Sequence, residues 1–288
     1  MEYLDHLDAR PRSRGRQAHL WGGAELNQVS SKDGTAIAYD VQGAGPAVIL
    51  VDGALTTRTS GSRPELARLM AERLTVYRYD RRGRGDSGDT QPYAVEREIE
   101  DIDALIGRAG GSAFLYGHSS GGCLALDAAA SLGDKVKKLA LYEAPYNDDP
   151  QARENFLDYI KNLTQALRSG RRGDAAALFM RLVGMPAAQI ESMRREPFWA
   201  GMEALAPTLA YDHAGVMGED GSIPIERVAR VHVPTLVMVG GNGAPFMLET
   251  AKTLTRTIRG AKLQTLAGQD HNVQPRALAP ALVEFLSA

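Results

Sequence analysis

The apolar run Ala113 to Tyr116 ends in Gly117-His118-Ser119-Ser120-Gly121, and the small-residue stretch Cys123-Leu124-Ala125-Leu126 follows. The G-x-S-x-G pattern holds its serine in a strained conformation, with flanking glycines that permit close backbone approach. Such a turn exposes the Ser119 hydroxyl at the C-terminal edge of a sheet and aims the Ser120 backbone N–H at the same space. The five-residue pattern means little alone; its strand–turn–helix setting gives it force.

The surrounding chain fits a parallel sheet. Ala36 to Val41 reads as a strand, and Gly43-Ala44-Gly45-Pro46 as a turn. Ala47 to Val51 is continuously apolar, as a strand buried on both faces requires. Leu66 to Arg73 reads as a helix and Leu74 to Tyr79 as a strand. Ile99, Ile102, Leu105 and Ile106 place a helix over Val95 to Arg108. The helix after Ser119 runs to about Leu132, and Val136 to Tyr142 is the next strand. This alternation predicts the α/β class: a mostly parallel sheet with helices on both faces.

The alternation then stops. Phe156, Ile160, Leu163 and Leu167 make one apolar stripe in a helical or irregular stretch that reaches about Arg230. Strands return at Thr235 to Val239 and Lys262 to Leu266, each with a helix after it. The expected organisation is a core of residues 29–146 and 231–288, with residues 147–230 a helical cap inserted between late strands. Residues 1–28, with Arg10, Arg12, Arg14 and Arg16 among glycines, read as a flexible tail.

Composition narrows the function classes. The 288 residues carry 33 Lys+Arg against 35 Asp+Glu, a formal net charge of −2, which offers no concentrated basic footprint for nucleic acid. The longest apolar run, Ala175 to Met180, is far short of the ~20 residues of a membrane span. Cys123 is the single cysteine, so no intrachain disulfide and no multi-cysteine zinc site is possible. With no apolar leader-like stretch at the N-terminus, the cytoplasm is the expected address. No phosphate-binding glycine loop and no H-E-x-x-H occurs, so neither cofactor nor metal is expected; the expected partner is a small-molecule substrate. Oligomeric state is not legible.

A serine hydroxyl is a poor nucleophile at neutral pH and needs a base. His6 and His19 lie in the tail and His213 in the inserted segment. His232 alternates with Val231 and Val233, as a structural residue would, and His118 sits inside the turn with its side chain expected to point away from the Ser119 hydroxyl. His271, in Gly268-Gln269-Asp270-His271-Asn272, follows the last strand by a short loop. That puts it at the same sheet edge as Ser119, and it is the expected base.

With these residues in place, the chain from about Val29 onward resembles the α/β-hydrolase fold family. Asp80-Arg81-Arg82-Gly83-Arg84-Gly85-Asp86-Ser87 is similar to the family's D-x-R-G-x-G-x-S turn, a structural segment. The resemblance makes the Ala54 N–H the second oxyanion donor beside Ser120. Many members carry His-Gly where this chain has Asp52-Gly53; Asp52 is expected to point away from the oxyanion or to be paired, with contact to substrate as the alternative. Most members also place the triad acid after the strand equivalent to Thr235–Val239, where Gly240-Gly241-Asn242-Gly243 offers no carboxylate.

Glu143, in Leu141-Tyr142-Glu143-Ala144-Pro145, ends the neighbouring strand. Some haloalkane dehalogenases of the same fold carry their acid there, in a similar Glu-Ala context. A carboxylate closing an apolar strand is costly unless paired, and imidazole suits it. Glu143 is therefore the expected acid, with Asn242, Asp212 and Asp148 as alternatives. The dehalogenases themselves, like the epoxide hydrolases, use an aspartate nucleophile and are excluded by Ser119.

The resemblance implies a capped serine hydrolase acting on an ester or similar acyl bond, and the aromatic and methionine side chains of the cap favour a small, mostly apolar substrate. Candidate pocket residues are Leu55, His118, Phe156, Phe179, Trp199, Met202 and Tyr211, although the cap residues among them also suit plain packing of the cap onto the sheet. Lactonase or acyltransferase chemistry on the same triad is the alternative, and a receptor-like ligand binder with little turnover is the alternative of another class.

Overall fold

A computed structural model describes residues 26–288. The strands are β1 (Asn27–Ser30), β2 (Ala36–Gln42), β3 (Ala47–Val51), β4 (Thr75–Tyr79), β5 (Ala113–His118), β6 (Val136–Tyr142), β7 (Thr235–Gly240) and β8 (Lys262–Leu266). The helices are α1 (Arg63–Met70), α2 (Val95–Arg108), α3 (Ser120–Leu132), α4 (Pro150–Arg168), α5 (Arg172–Leu182), α6 (Ala187–Met193), α7 (Trp199–Leu205), α8 (Ile225–Val228), α9 (Pro245–Thr257) and α10 (Pro275–Ser287). A π-helical turn occupies Tyr211–Val216. The sheet order is β1-β2-β4-β3-β5-β6-β7-β8. The pairs β1/β2 and β2/β4 are antiparallel, and every later pair is parallel.

The apolar strands divide their side chains between two layers, because successive residues point to opposite faces. Val48, Leu50, Ala140, Tyr142, Leu236 and Met238 pack with Leu66, Met70, Leu278 and Leu282 of α1 and α10. Ile49, Val51, Leu139, Leu141, Val237 and Val239 pack the other way, with Ile102 and Leu105 of α2, Cys123 and Ala125 of α3 and Leu254 of α9. Both faces are covered, which is why β3 reads AVILV with no polar alternation. Each fully buried aliphatic side chain contributes about 1.5–3 kcal/mol by area, so this double burial dominates the stability of the sheet.

Two details differ from the pattern expected of the sequence. β1 opens at Asn27, so Asn27 and Gln28 belong to the sheet rather than to the tail; residues 1–25, which hold the rest of that tail, lie outside the described residues. Only four residues long, with Val29 its single apolar residue, β1 carries little hydrophobic signature and is held chiefly by antiparallel pairing with β2. Helix α1 spans Arg63–Met70 rather than Leu66–Arg73, because Pro64 suits the first helical turn. The segment between β6 and β7 carries α4 to α8, and its π-helical turn packs on α2 and α3. Among the described residues no helix is long and apolar enough to cross a membrane.

Candidate active site

Ser119 sits between β5 and α3 with φ 57° and ψ −134°, a backbone shape that L-residues avoid. Among the described residues, the non-glycine positions with positive φ are Leu55, Ser119 and Glu143. The predicted nucleophile, the predicted acid and the residue after the predicted oxyanion donor thus share one unusual property. Such strain persists where surrounding structure enforces it. Around Ser119, the Ser119 N–H donates to the Tyr142 carbonyl at 3.0 Å, and the Gly122 N–H to the Ser119 carbonyl at 2.7 Å. A Cβ on Gly121 would collide with the Val51 carbonyl oxygen, so the glycine allows α3 to approach β3.

β5 and β6 are parallel neighbours, with His118 paired to Tyr142, so Ser119 and Glu143 follow adjacent strand ends. Glu143 is 3% exposed. Its Oε1 accepts the Gly240 N–H at 2.9 Å, and its Oε2 lies 2.8 Å from His271 Nδ1. A carboxylate accepts only, so Nδ1 carries the proton and Nε2 is left as the basic nitrogen. The glycine run after β7 acquires a physical reason: a Cβ on Gly243 would stand 2.5 Å from Glu143 Oε1. The alternative acids go elsewhere. Asp212 is held by Arg81, Arg84 and Ser120, and Asp148 accepts the Ile223 N–H at 2.8 Å.

His271 lies on the loop after β8 with a side chain 39% exposed. Tyr142 anchors that loop by donating to the Asp270 carbonyl at 2.7 Å, and His118 does so from the Gly117–Gly121 turn, the elbow that carries Ser119. His118 Nε2 lies 2.9 Å from the His271 carbonyl, and its Nδ1 lies 2.7 Å from Arg63 Nη2. The carbonyl can only accept and Arg63 can only donate, so His118 is a neutral Nε2–H tautomer. Burial, then the Arg63 charge, pushes its pKa well below the ordinary histidine value, in keeping with that assignment. The two rings sit 4.9 Å apart between centroids. Among the described residues no hydrogen bond joins Ser119 Oγ to the His271 ring.

The loop Asp52-Gly53-Ala54-Leu55 lies against the elbow: a Cβ on Gly53 would come 2.9 Å from Ser119 Cβ. Asp52 is paired, its Oδ1 2.5 Å from Arg63 Nε. Beneath the loop, Arg81, Arg82 and Arg84 are buried in ion pairs rather than open to an anion. Arg81 meets Glu98 at 2.6 Å and Asp212 at 2.5 Å, Arg82 meets Asp101 at 2.7 Å, and Arg84 meets Asp212 at 2.6 Å. Burial works to raise the Asp212 pKa, but Arg81 and Arg84 overcome it and hold the carboxyl below its ordinary range. Sequence reading assigned Arg63 no role and weighed Asp212 only as a triad acid. A buried carboxylate opposite two arginines of one turn has no local sequence signature.

The expected pocket residues do not form one wall. Phe156 and Phe179 meet around His213, with centroids 6.1 and 5.3 Å from its ring, and Tyr159 Oη lies 3.0 Å from His213 Nδ1. Burial pushes the His213 pKa down to about 4, so this imidazole is neutral near pH 7. Leu55 and Met202 are half-buried against the same apolar cluster. Tyr211 instead stacks on Tyr93 at 4.0 Å and gives its hydroxyl to Asp89. Trp199 packs inside the helical segment and donates Nε1–H to Glu203 at 2.9 Å. Both large rings have indole or phenol groups that burial obliges to find partners, and those partners lie within the protein. His118, with both ring nitrogens engaged, braces the His271 loop.

The model of a family described as the alpha/beta hydrolase family matches residues 48–281. A solved alpha/beta hydrolase from Sphaerobacter thermophilus DSM 20745 is 50% identical, with a TM-score of 0.80 over 90% of this chain and 99% of that one. A solved hydrolase from Pseudomonas aeruginosa PA01 is 26% identical, with a TM-score of 0.72 over 93% of this chain and 100% of that one. Among curated proteins, the uncharacterized hydrolase YraK of Bacillus subtilis (strain 168) is 27% identical over 137 residues, or 44% of this chain. The match spans about half the length of that relative, 50%.

Proposed function

Because this chain belongs to the alpha/beta hydrolase family, we propose that it is a serine hydrolase that cleaves an ester or similar acyl bond through an acyl-enzyme. The observation that carries this reading is the 2.8 Å contact of His271 Nδ1 with Glu143 Oε2, which leaves Nε2 basic at the sheet edge where the elbow holds Ser119.

In this reading Nε2 of His271 takes the proton of Ser119 Oγ as that oxygen attacks the acyl carbon. The Ala54 and Ser120 N–H groups receive the tetrahedral oxyanion, and Glu143 stabilises the imidazolium without being protonated. Nε2–H then protonates the leaving alcohol as its bond to the acyl carbon breaks. A water gives its proton to Nε2, attacks the acyl carbon and releases the acid, and His271 returns the proton to Ser119. Residues 147–230 serve as a cap. Phe156, Phe179 and Leu55 favour a small, mostly apolar substrate.

The test is intact mass and peptide mapping after a fluorophosphonate, with release of nitrophenol from short aryl esters. One adduct per chain at Ser119, absent in Ser119→Ala, with turnover abolished in that variant, is the expected result. Folded wild type that neither labels nor turns over would overturn the reading.

A further inference from the structure

The carbonyl oxygen of Gly53 receives two donors: Arg84 Nη1 at 2.6 Å and Thr56 Oγ1 at 2.6 Å. That carbonyl belongs to the same peptide unit as the Ala54 N–H. The unit is planar and trans, so a carbonyl held toward the buried arginines sends the N–H the opposite way. The two groups are also conjugated. A cationic donor on the oxygen draws electron density from the nitrogen and makes the N–H a stronger donor, as hydrogen bonds in chains reinforce one another.

Arg84 is 1% exposed and divides its fork, Nη2 reaching Asp212 Oδ2 at 2.6 Å while Nη1 serves Gly53. Asp212 in turn accepts the Ser120 hydroxyl at 2.8 Å, so one carboxylate touches the residue of each expected donor, directly at Ser120 and through Arg84 at the Gly53–Ala54 peptide. Arg81 adds a longer contact, 3.3 Å, to the Asp52 carbonyl. Asp212 comes from the segment between β6 and β7, Arg84 from the turn after β4 and Ser120 from α3, so three distant stretches of chain meet at this point.

We propose that Arg84, held by Asp212, is a positioning residue for the oxyanion hole: it orients and polarises the Gly53–Ala54 peptide so that the Ala54 N–H meets the developing oxyanion. The proposal rests on the serine-hydrolase reading. An ion pair serving the fold alone would need only the Asp212 contact; the fork shared with Gly53 ties the pair to the reaction. Lysine cannot reproduce it, since its single ammonium lacks the rigid two-nitrogen geometry.

The test compares an aryl acetate with the matching aryl thionoacetate, whose sulfur anion draws much less from N–H donors. Two variants are used. Arg84→Lys keeps a cation beside Asp212, and Arg84→Met/Asp212→Asn removes the ion pair whole. Removing an oxyanion donor costs ~10²–10³ in kcat, so weakening one is expected to lower oxo-ester kcat by about 10- to 100-fold, with KM nearly unchanged. The thiono-ester rate falls less, and the oxo/thiono ratio drops in whichever variant melts cooperatively. An unchanged ratio in a folded variant, whether rates hold or fall equally, overturns the role of Arg84 and leaves the serine hydrolase standing. Wild type inert to both esters and unlabelled at Ser119 overturns the underlying reading and this inference with it.

Discussion

Glu143 Oε2 lies 2.8 Å from His271 Nδ1, while the other carboxylate oxygen is occupied by the Gly240 N–H at 2.9 Å. The asymmetry predicts how Glu143→Gln fails. Gly240 can only donate, so it holds the amide oxygen and turns the amide NH2 toward Nδ1. Nδ1 must then accept, the proton moves to Nε2, and the ring can no longer take a proton from Ser119. The expected loss is ~10³–10⁴ in kcat with KM little changed, the pattern of a triad left with the wrong tautomer. Steady-state kinetics on an aryl ester checks it, and a variant with wild-type kcat would remove Glu143 from the role.

Gly53 has an ordinary φ, so its side chain is forbidden by space alone. A Cβ there would stand 2.9 Å from Ser119 Cβ and 3.3 Å from Ser119 Oγ. Gly53→Ala must push Ser119 or its own loop by several tenths of an ångström. Misplacement by ~1 Å costs about 10²-fold in rate, so a loss of about 10- to 100-fold is expected, with a melting temperature close to wild type. Fluorophosphonate labelling rate measures it directly. Unslowed labelling would show that the loop yields without disturbing Ser119.

The strands and the elbow were legible because their signals are local. AVILV, with the two-faced burial it implies, and G-x-S-x-G are each contained in a single run of five residues. That Glu143 needs a partner was legible for a related reason: a carboxylate closes the apolar strand Val136–Tyr142, and His271 Nδ1 lies 2.8 Å from it. β1 was not, since Asn27–Ser30 owes its conformation to pairing with β2. Nor were the pairings of Arg84 with Asp212, 128 residues away, and of Arg63 with His118, 55 residues away. Their partners become neighbours only after the sheet has formed. Trp199 and Tyr211 show the converse limit, since composition places large rings in a segment but does not say which face they turn to.

Ser119 carries its strain at φ 57°, and glycine tolerates that region without a Cβ penalty. Strained non-glycine conformations cost about 1–3 kcal/mol, and glycine returns about 0.5–1 kcal/mol of that as added freedom in the unfolded chain. Ser119→Gly is therefore expected to stabilise the fold by about 1 kcal/mol while abolishing turnover. Urea unfolding of Ser119→Gly beside Ser119→Ala separates the terms, because alanine removes the hydroxyl and keeps the strain. Equal stability in the two variants would mean that the elbow is relaxed.

Asp127 on α3 is 1% exposed, with Arg227 Nε at 3.0 Å. Burial, only partly offset by Arg227 and Arg230, pushes its pKa up to about 7 from an ordinary 3.8. Between those values the folded chain binds more protons than the unfolded chain, so stability falls as pH rises. The contribution of protonated Asp127 is whole below the unfolded value and is lost as pH climbs through about 7. Asn keeps the shape and never ionises. Asp127→Asn should thus stabilise the protein more at pH 8 than at pH 5, by about 2–3 kcal/mol, since each unit between pH 5 and the folded value of about 7 is worth about 1.4 kcal/mol. Urea unfolding of both proteins at the two pH values supplies the comparison. An equal difference at pH 5 and pH 8 would mean that Asp127 ionises normally despite its burial.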